Sequence, residues 1–260
     1  APAYSKDITF NLDKAEKFIT DNSVISVGIK YLRWQNVKDE DADQGLFYFN
    51  ELVAVAQKAS GSKNALDKIK NIADQLSPLE DKNLSRRLYE IYAAKLSSSN
   101  LSQEEYKARG EEFLKDNNVY LAKFLFDLYL DGFAQDKESQ AREIVGIADK
   151  FVHTGWKEGV DPIYAEMLYQ KAYDLAGDKA FDANSQYRRA YNLERSKEFE
   201  SAIKEYKNLL HLYADYSDKP KILFRLGILT AYSAKDVIGA RDYFLKAKNE
   251  FPDDTVALAS

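Results

Sequence analysis

The chain has 260 residues, of which 45% are apolar and 30% are charged, and its formal net charge is −5 at pH 7. The absence of cysteine excludes a disulfide framework, a thiolate metal site and a cysteine nucleophile, while the acidic balance argues against nucleic-acid binding, which needs a basic surface. No stretch approaches the ~18 uninterrupted apolar residues of a membrane helix, and the 11 glycines and 5 prolines are few enough to indicate long regular elements.

Residues 1–76 have the periodicity of amphipathic helices. Trp34 ends an early apolar helix, and we predict that its ring closes a helix–helix junction. The acidic run from Asp39 to Asp43 lacks the glycine and the closing glutamate of a calcium loop in the required register. We therefore predict a solvated turn between two helices at that run.

Capping residues and prolines mark the later helix starts. Ser77-Pro78-Leu79-Glu80 and Ser102-Gln103-Glu104-Glu105 have the form of capping boxes. In Asp161-Pro162 and Asp218-Lys219-Pro220, an aspartate precedes a proline that fits the first helical turn. After a turn at residues 116–118, residues 119–133 are apolar on most sides, which is typical of a buried helix. We predict about eleven to thirteen helices of ~12–18 residues and no β-structure.

A short residue pattern recurs along the chain: a small residue, an aromatic residue four positions later, and an apolar residue three positions after that. The leading alanines are spaced 43, 37 and 38 residues apart. The three positions share one helix face. The alanine lets two helices cross closely, and the aromatic ring fills the gap to the next pair, so helix pairs must stack to bury this face. The sets are Ala122, Phe126 and Tyr129; Ala165, Tyr169 and Ala172; Ala202, Tyr206 and Leu209; and Ala240, Phe244 and Ala247.

These sets resemble the tetratricopeptide repeat (TPR) superfamily. Residues 199–206 resemble the start of the second helix of a TPR, and Leu226-Gly227 and Pro252 match two further positions. Residues 157–172 resemble the longer Sel-like variant. The resemblance extends from about residue 139 to residue 252, with one extra residue before Ala240 and no closing proline after the Ala202 repeat.

The resemblance implies an all-α fold of the α-α superhelix type, which is a right-handed, TPR-like solenoid of about six or seven antiparallel helix pairs. We predict that residues 1–76 form divergent or non-repeat helices. Residues 77–260 are predicted to form TPR-like or Sel-like repeats that continue the first part. A helical bundle without true repeats is the alternative.

No residue pattern indicates catalysis or a cofactor. The sequence contains no glycine-rich phosphate loop and no nucleophile elbow. His153 and His211 lie outside any zinc-binding motif, so we predict structural or surface roles for both, with His153 at the C-terminal end of a helix. The basic pairs Arg86-Arg87 and Arg188-Arg189 are predicted to form salt bridges on helix surfaces. We therefore predict a protein that is not an enzyme and that has no cofactor and no metal.

In the TPR superfamily, the first helix of each pair lines the concave surface where partners bind. The resemblance implies a mixed aromatic and cationic surface on two such helices here. Lys221 and Arg225, one turn apart, resemble the carboxylate clamp that holds a peptide C-terminus, although tyrosines stand where the first clamp repeat has polar residues. Core packing is predicted instead for Tyr92, Tyr129, Tyr169 and Tyr206. The predicted partner-binding residues are Asn184, Tyr187, Arg188, Tyr191, Lys221, Phe224 and Arg225.

These features predict a non-catalytic scaffold that binds a protein or peptide partner in the concave groove. The acidic pI favours a partner with basic or mixed patches. Two alternatives stay open: a cell-envelope protein that binds or processes polysaccharide, and a self-assembling component of a larger envelope complex, whose poorly capped tail (residues 255–260) would promote a homo-oligomer. Ala1 fits the residue left by signal peptidase, so we expect a periplasmic or secreted protein, with a cytoplasmic location as the alternative.

Overall fold

The fold was analysed in a computed structural model, which describes residues 11–12, 14–15, 24–59, 61, 63–76, 82–98, 101–153 and 159–255. Within these ranges the chain forms twelve α-helices, a short 3₁₀ turn and no strand. The predicted all-α fold is confirmed for the described part of the chain. The predicted helix start at Ser77 and the tail beyond Thr255 lie outside the described residues.

The helices are 12 to 18 residues long, as the sequence predicts. In chain order they are α1 (Val24–Val37), α2 (Ala42–Ala59), α3 (Lys63–Leu76), α4 (Lys82–Ser97), α5 (Gln103–Lys115), α6 (Val119–Gly132), α7 (Lys137–Ala148), α8 (Pro162–Ala176), α9 (Ala183–Arg195), α10 (Phe199–Leu212), α11 (Lys219–Tyr232) and α12 (Val237–Glu250). The 3₁₀ turn (Gly177–Ala180) follows α8 directly.

The chain divides into two compact units, residues 1–132 and residues 133–260. In the first unit, α1 packs on α2, α3 on α4 and α5 on α6. In the second unit, α7 packs on α8, α9 on α10 and α11 on α12. Short turns join α1 to α2, α5 to α6, α9 to α10 and α11 to α12, so these four pairs are antiparallel. The boundary at residue 132 separates two compact units and does not mark where repeats begin. The predicted change from non-repeat helices to repeats after residue 76 stays a prediction.

The four repeated residue sets lie on the second helices of their pairs, α6, α8, α10 and α12. Their leading alanines are all buried, as are the residues three positions after each aromatic. Three of the aromatic rings are fully buried, and Phe244 is half-buried. A Cβ at Gly110 of α5 would lie 3.0 Å from the Phe126 ring, and one at Gly227 of α11 would overlap the Phe244 ring. In these two pairs the aromatic residue thus packs against a glycine on the first helix of its own pair.

Most of the predicted helix starts are present, with one correction. Ser102 and Glu105 form the predicted capping box, and the Asp161 carboxylate accepts the Tyr164 amide with Pro162 in the first turn of α8. Asp218 precedes α11, but its side chain accepts no capping hydrogen bond and lies 3.8 Å from the Lys221 ammonium instead. The prediction of a capping aspartate there is wrong because its backbone (ψ 19°) departs from the extended geometry of an N-cap.

The acidic run behaves as predicted and Trp34 is buried, while the predicted closure of a helix–helix junction by its ring stays a prediction. The Asp41 carboxylate accepts the amides of Asp43 and Gln44 at the start of α2, so the run is a capped turn. Trp34 is 5% exposed, and its ring stacks on Tyr31 at 6.0 Å. The rings of Tyr92, Tyr129, Tyr169 and Tyr206 are buried, which confirms their predicted packing role.

The two basic pairs differ from each other in the structure. Arg86 forms an exposed salt bridge with Glu90, as predicted for a helix surface. Arg189 is 5% exposed and is paired with Glu166 at 2.7 Å, so the prediction of a surface position is wrong for this residue. The physical reason is its place on the side of α9 that packs between α8 and α10, where the guanidinium is hydrogen-bonded within the protein.

Candidate functional site

A cleft of about 240 Å³ in the second unit brings together most of the predicted partner-binding residues. We call it the tyrosine cleft. Residues of α9 form one wall, residues of α11 form the other, and the loop after α7 closes one end. The lining residues are His153, Asn184, Tyr187, Arg188, Tyr191, Lys221 and Arg225.

Two tyrosine rings form the centre of the cleft. Tyr187 and Tyr191 are one turn apart on α9, and their rings stack at 6.1 Å with an angle of 4° between the planes. The Lys221 ammonium lies 5.2 Å from the centre of the Tyr187 ring, and the Arg225 guanidinium lies 4.6 Å from that of Tyr191. Each cation from α11 therefore contacts one tyrosine of α9, which aligns the two walls of the cleft.

An ion pair behind the tyrosines holds Arg225 in place. Its guanidinium donates to Glu194 Oε1 at 2.6 Å, and the other carboxylate oxygen accepts the Tyr206 hydroxyl at 2.8 Å. Burial, together with the charge of Glu194, raises the pKa of Tyr206 far above its usual value, so this hydroxyl remains a donor. The Arg225 charge is thus already balanced, and joint binding of a carboxylate by Lys221 and Arg225 stays a prediction.

A second carboxylate holds Arg188. The Arg188 guanidinium donates to Asp149 Oδ2 at 2.8 Å, and Ser185 Oγ donates to the same oxygen at 3.0 Å. The other oxygen of Asp149 accepts the hydroxyl of the buried Tyr169 at 2.6 Å. The Arg188 side chain is 47% exposed and lines the cleft, while its ion pair with Asp149 fixes its position.

His153 is a cleft residue that the sequence did not indicate. It follows the end of α7 by five positions, in a loop rather than at the helix terminus, which corrects the predicted position. Its backbone amide donates to Asn192 Oδ1, and its Nδ1 accepts the Gly159 amide at 2.9 Å. Any Cβ at Gly159 would meet the loop backbone at 2.6 Å. A glycine at position 159 is the sequence feature that allows the backbone there to lie close to the backbone of residues 151–153.

Phe224 is the one predicted residue that does not line the cleft. Its ring packs on Phe244 of α12 at 5.8 Å. The side chain therefore belongs to the packing between α11 and α12, because position 224 lies on the side of α11 that faces its own pair. Asn184 does line the cleft, and its Oδ1 accepts the Tyr216 hydroxyl at 3.3 Å.

The lining of the cleft is rich in hydrogen-bond donors and contains no carboxylate. The carboxylates that balance its cations, Asp149, Glu194 and Asp218, lie outside this lining. The cleft therefore offers aromatic rings and cationic groups to a bound molecule, while its net charge is close to neutral.

The described ranges contain neither a candidate metal-binding cluster nor a candidate membrane-spanning helix. No group of three or more histidine, aspartate or glutamate side chains in these ranges is placed to hold a metal ion. Among the helices that the structure describes, none combines the length and the apolar character needed to cross a bilayer.

Among the comparisons with known proteins, only the one with solved structures finds matches. No protein-family model matches the chain, and no curated protein matches it. Among solved structures, the chain is similar to YrrB, described as a TPR protein with an unusual peptide-binding site. The alignment has 17% sequence identity and a TM-score of 0.42, and it covers 74% of this chain and 89% of YrrB.

Proposed function

We propose that this protein is a non-catalytic scaffold for protein–protein interaction, and that the tyrosine cleft binds a segment of a protein partner. The observation that carries the proposal is the lining of the cleft: stacked tyrosine rings and three cationic side chains converge, and no carboxylate is among them. Tyrosine and arginine are the residue types that dominate binding energy at protein interfaces.

The geometry favours a partner segment that combines an apolar side chain with a carboxylate. The apolar side chain would pack on the half-buried Tyr187 ring. The carboxylate would contact Lys221, whose side chain is 43% exposed and whose nearest carboxylate, Asp218, is 3.8 Å away. Arg188 and Arg225 are already paired, so they would add hydrogen bonds more than net charge.

Burial and pairing inside the cleft restrict the choice of variants for a test. Replacing Tyr191 by alanine would remove a side chain that is only 8% exposed, and replacing Arg225 would leave Glu194 half-buried without its cation. Both changes would destabilise the packing between α9 and α11, so a loss of binding could not be assigned to the cleft surface. Lys221→Glu is less disruptive to folding, because the Lys221 side chain is 43% exposed. The substitution reverses the charge at the mouth of the cleft.

The experiment is affinity capture from an extract of the source organism, followed by mass spectrometry. Wild type, Lys221→Glu and Lys248→Glu are compared, where Lys248 is exposed on α12 and provides the same charge change away from the cleft. We expect a partner that wild type and Lys248→Glu retain and that Lys221→Glu loses by at least about tenfold. A partner that all three retain equally would place the interaction elsewhere.

The finer predictions from the sequence accompany this proposal. A periplasmic or secreted location, Sel-like repeats and self-association stay predictions. So does the polysaccharide-binding alternative, which a glycan array with no signal would reject.

A further inference from the structure

The second unit has another, larger concavity on the opposite side of α9 from the tyrosine cleft. It has a volume of about 1260 Å³. Residues of α8 form one wall, residues of α10 form the other, and α9 forms the floor. We call it the α8–α10 groove. By size it would accept roughly two to three turns of an α-helix, whose diameter with side chains is about 10–12 Å.

The α8 wall of this groove exposes large apolar side chains. Ile163 is 76% exposed, Met167 is 65% exposed and Tyr173 is 43% exposed, and all three line the groove. Ile163 and Met167 are one turn apart, so they form a continuous apolar strip. Ile163 and Met167 are on the face of α8 opposite to the repeat set Ala165, Tyr169 and Ala172, which is buried, so packing inside the repeats does not explain their exposure.

The lining of the groove contains one carboxylate more than its lysine and arginine side chains together: Glu166, Asp178, Glu198 and Glu205 against Arg189, Lys204 and Lys207. The Arg189 side chain is 6% exposed and lies between two carboxylates, Glu166 at 2.7 Å and Glu205 at 3.7 Å. One guanidinium therefore faces two carboxylates. Glu205 also accepts a hydrogen bond from the buried Gln186 amide, whereas Glu166 Oε2 has no hydrogen-bond partner. Burial raises the pKa of Glu166 although Arg189 opposes this, which reflects a carboxylate that is incompletely compensated.

The apolar strip and the extra carboxylate together specify one kind of occupant. A purely apolar segment would cover Ile163 and Met167 but would bury Glu166 further without a cation, which is unfavourable. An acidic segment would add repulsion beside Glu166 and Glu205. A segment with a lysine or arginine between apolar side chains would satisfy both features, because its cation would balance Glu166 while its apolar groups cover the strip.

We infer that the α8–α10 groove is a second binding surface, which takes a helical segment of a protein partner bearing a lysine or arginine flanked by apolar residues. This surface is independent of the tyrosine cleft: the two use opposite sides of α9 and have opposite charge preferences. The chain would then be able to hold two different segments on the same three helix pairs.

The test is selection of binders from a phage-displayed library of helical 14-residue peptides on the full chain. We expect the selected peptides to share a lysine or arginine with apolar residues three or four positions away. Their affinity should fall at least about tenfold in Ile163→Lys, which removes apolar area and repels the cation, and should also fall in Glu166→Gln.

Val237→Lys is the matched control. Val237 is 73% exposed and occupies the first turn of α12, as Ile163 occupies the first turn of α8, so both substitutions cost the same in helix stability. The control and Lys221→Glu should bind the peptides as wild type does, and circular dichroism checks that all variants are folded.

Three outcomes would overturn the inference. Selected peptides that bind Ile163→Lys as well as wild type would show that the groove is not their site. Groove-dependent peptides without a basic residue would overturn the stated partner chemistry, and failure to select any groove-dependent peptide would overturn the surface itself. Loss of binding in Lys221→Glu alone would instead support the tyrosine cleft, so the two proposals fail separately.

Discussion

At the scale of single residues, buried tyrosines bound to carboxylates recur through the molecule. Tyr89 donates to Asp74 at 2.6 Å, and two further tyrosines, on α8 and α10, repeat the arrangement with Asp149 and Glu194. Each tyrosine is on the second helix of a pair, and each carboxylate is at or near the C-terminal end of the first. A carboxylate is unfavourable there because of the helix dipole, and the hydroxyl donor offsets that cost.

Removing one of these hydroxyls should therefore destabilise the fold without changing its shape. We expect Tyr206→Phe to lower the free energy of unfolding by about 1.5–3 kcal/mol, since its hydroxyl donates to the charged Glu194. Urea unfolding followed by circular dichroism measures the change. Tyr232→Phe, at an 81% exposed position, is the control and should be neutral. A loss below about 0.5 kcal/mol for Tyr206→Phe would contradict a stabilising role for the hydrogen bond.

At the scale of helices, close crossing within a pair depends on a small residue opposite the repeat aromatic. Gly227 of α11 faces the Phe244 ring, whereas Gly146 of α7 is exposed, with no neighbouring atom within 4 Å of a Cβ built there. The two glycines are both helical, so intrinsic helix propensity acts on them equally. Only the packing differs between them.

Alanine substitutions at these two glycines should have opposite effects. We expect Gly227→Ala to lower the free energy of unfolding by about 1–3 kcal/mol, because α12 must shift to accommodate the methyl group. Gly146→Ala should raise it by up to about 1 kcal/mol through better helix propensity. Thermal unfolding of both variants measures the effects. Equal shifts of the same sign would mean that the contact between Gly227 and Phe244 does not limit the packing of this pair.

At the scale of the whole molecule, the buried tyrosines link stability to alkaline pH. Burial, followed by the charges and hydrogen bonds of the neighbouring carboxylates, raises the pKa values of Tyr89, Tyr169 and Tyr206 above the usual value near 10. Above pH 10 the unfolded chain loses these protons and the folded chain keeps them. The unfolded state then binds fewer protons, so stability must fall as the pH rises.

We expect the free energy of unfolding to fall by about 1.4 kcal/mol per pH unit for each of these tyrosines above pH ~10. Urea titrations between pH 9 and 11.5 measure the slope. Tyr206→Phe should be less stable than wild type at pH 8. Above pH 10, the slope of its unfolding free energy against pH should be smaller than that of wild type by about 1.4 kcal/mol per pH unit. An unchanged slope in this variant would show that Tyr206 ionises equally in both states.

The sequence by itself determined the elements and their pairing. Helical periodicity, the capping box at Ser102 and the proline at position 162 act within a few residues, so they fix helix starts without reference to the rest of the chain. The spacing of Ala202 and Tyr206 indicated which face of α10 is buried, for the same local reason. Six of the seven predicted partner-binding residues line one cleft, because position on a helix decides which residues share a face, and their binding role stays a prediction.

The tertiary structure decided what each polar side chain contacts. Arg188 and Arg189 are adjacent in the sequence, yet one lies at the tyrosine cleft and the other is buried beneath the α8–α10 groove. The Phe224 ring packs within its own helix pair. His153 lines the cleft from a loop whose backbone is hydrogen-bonded to Asn192. These outcomes depend on partners about 20 to 40 residues away. Local sequence pattern does not encode such distances, because they are fixed only when the helix pairs stack.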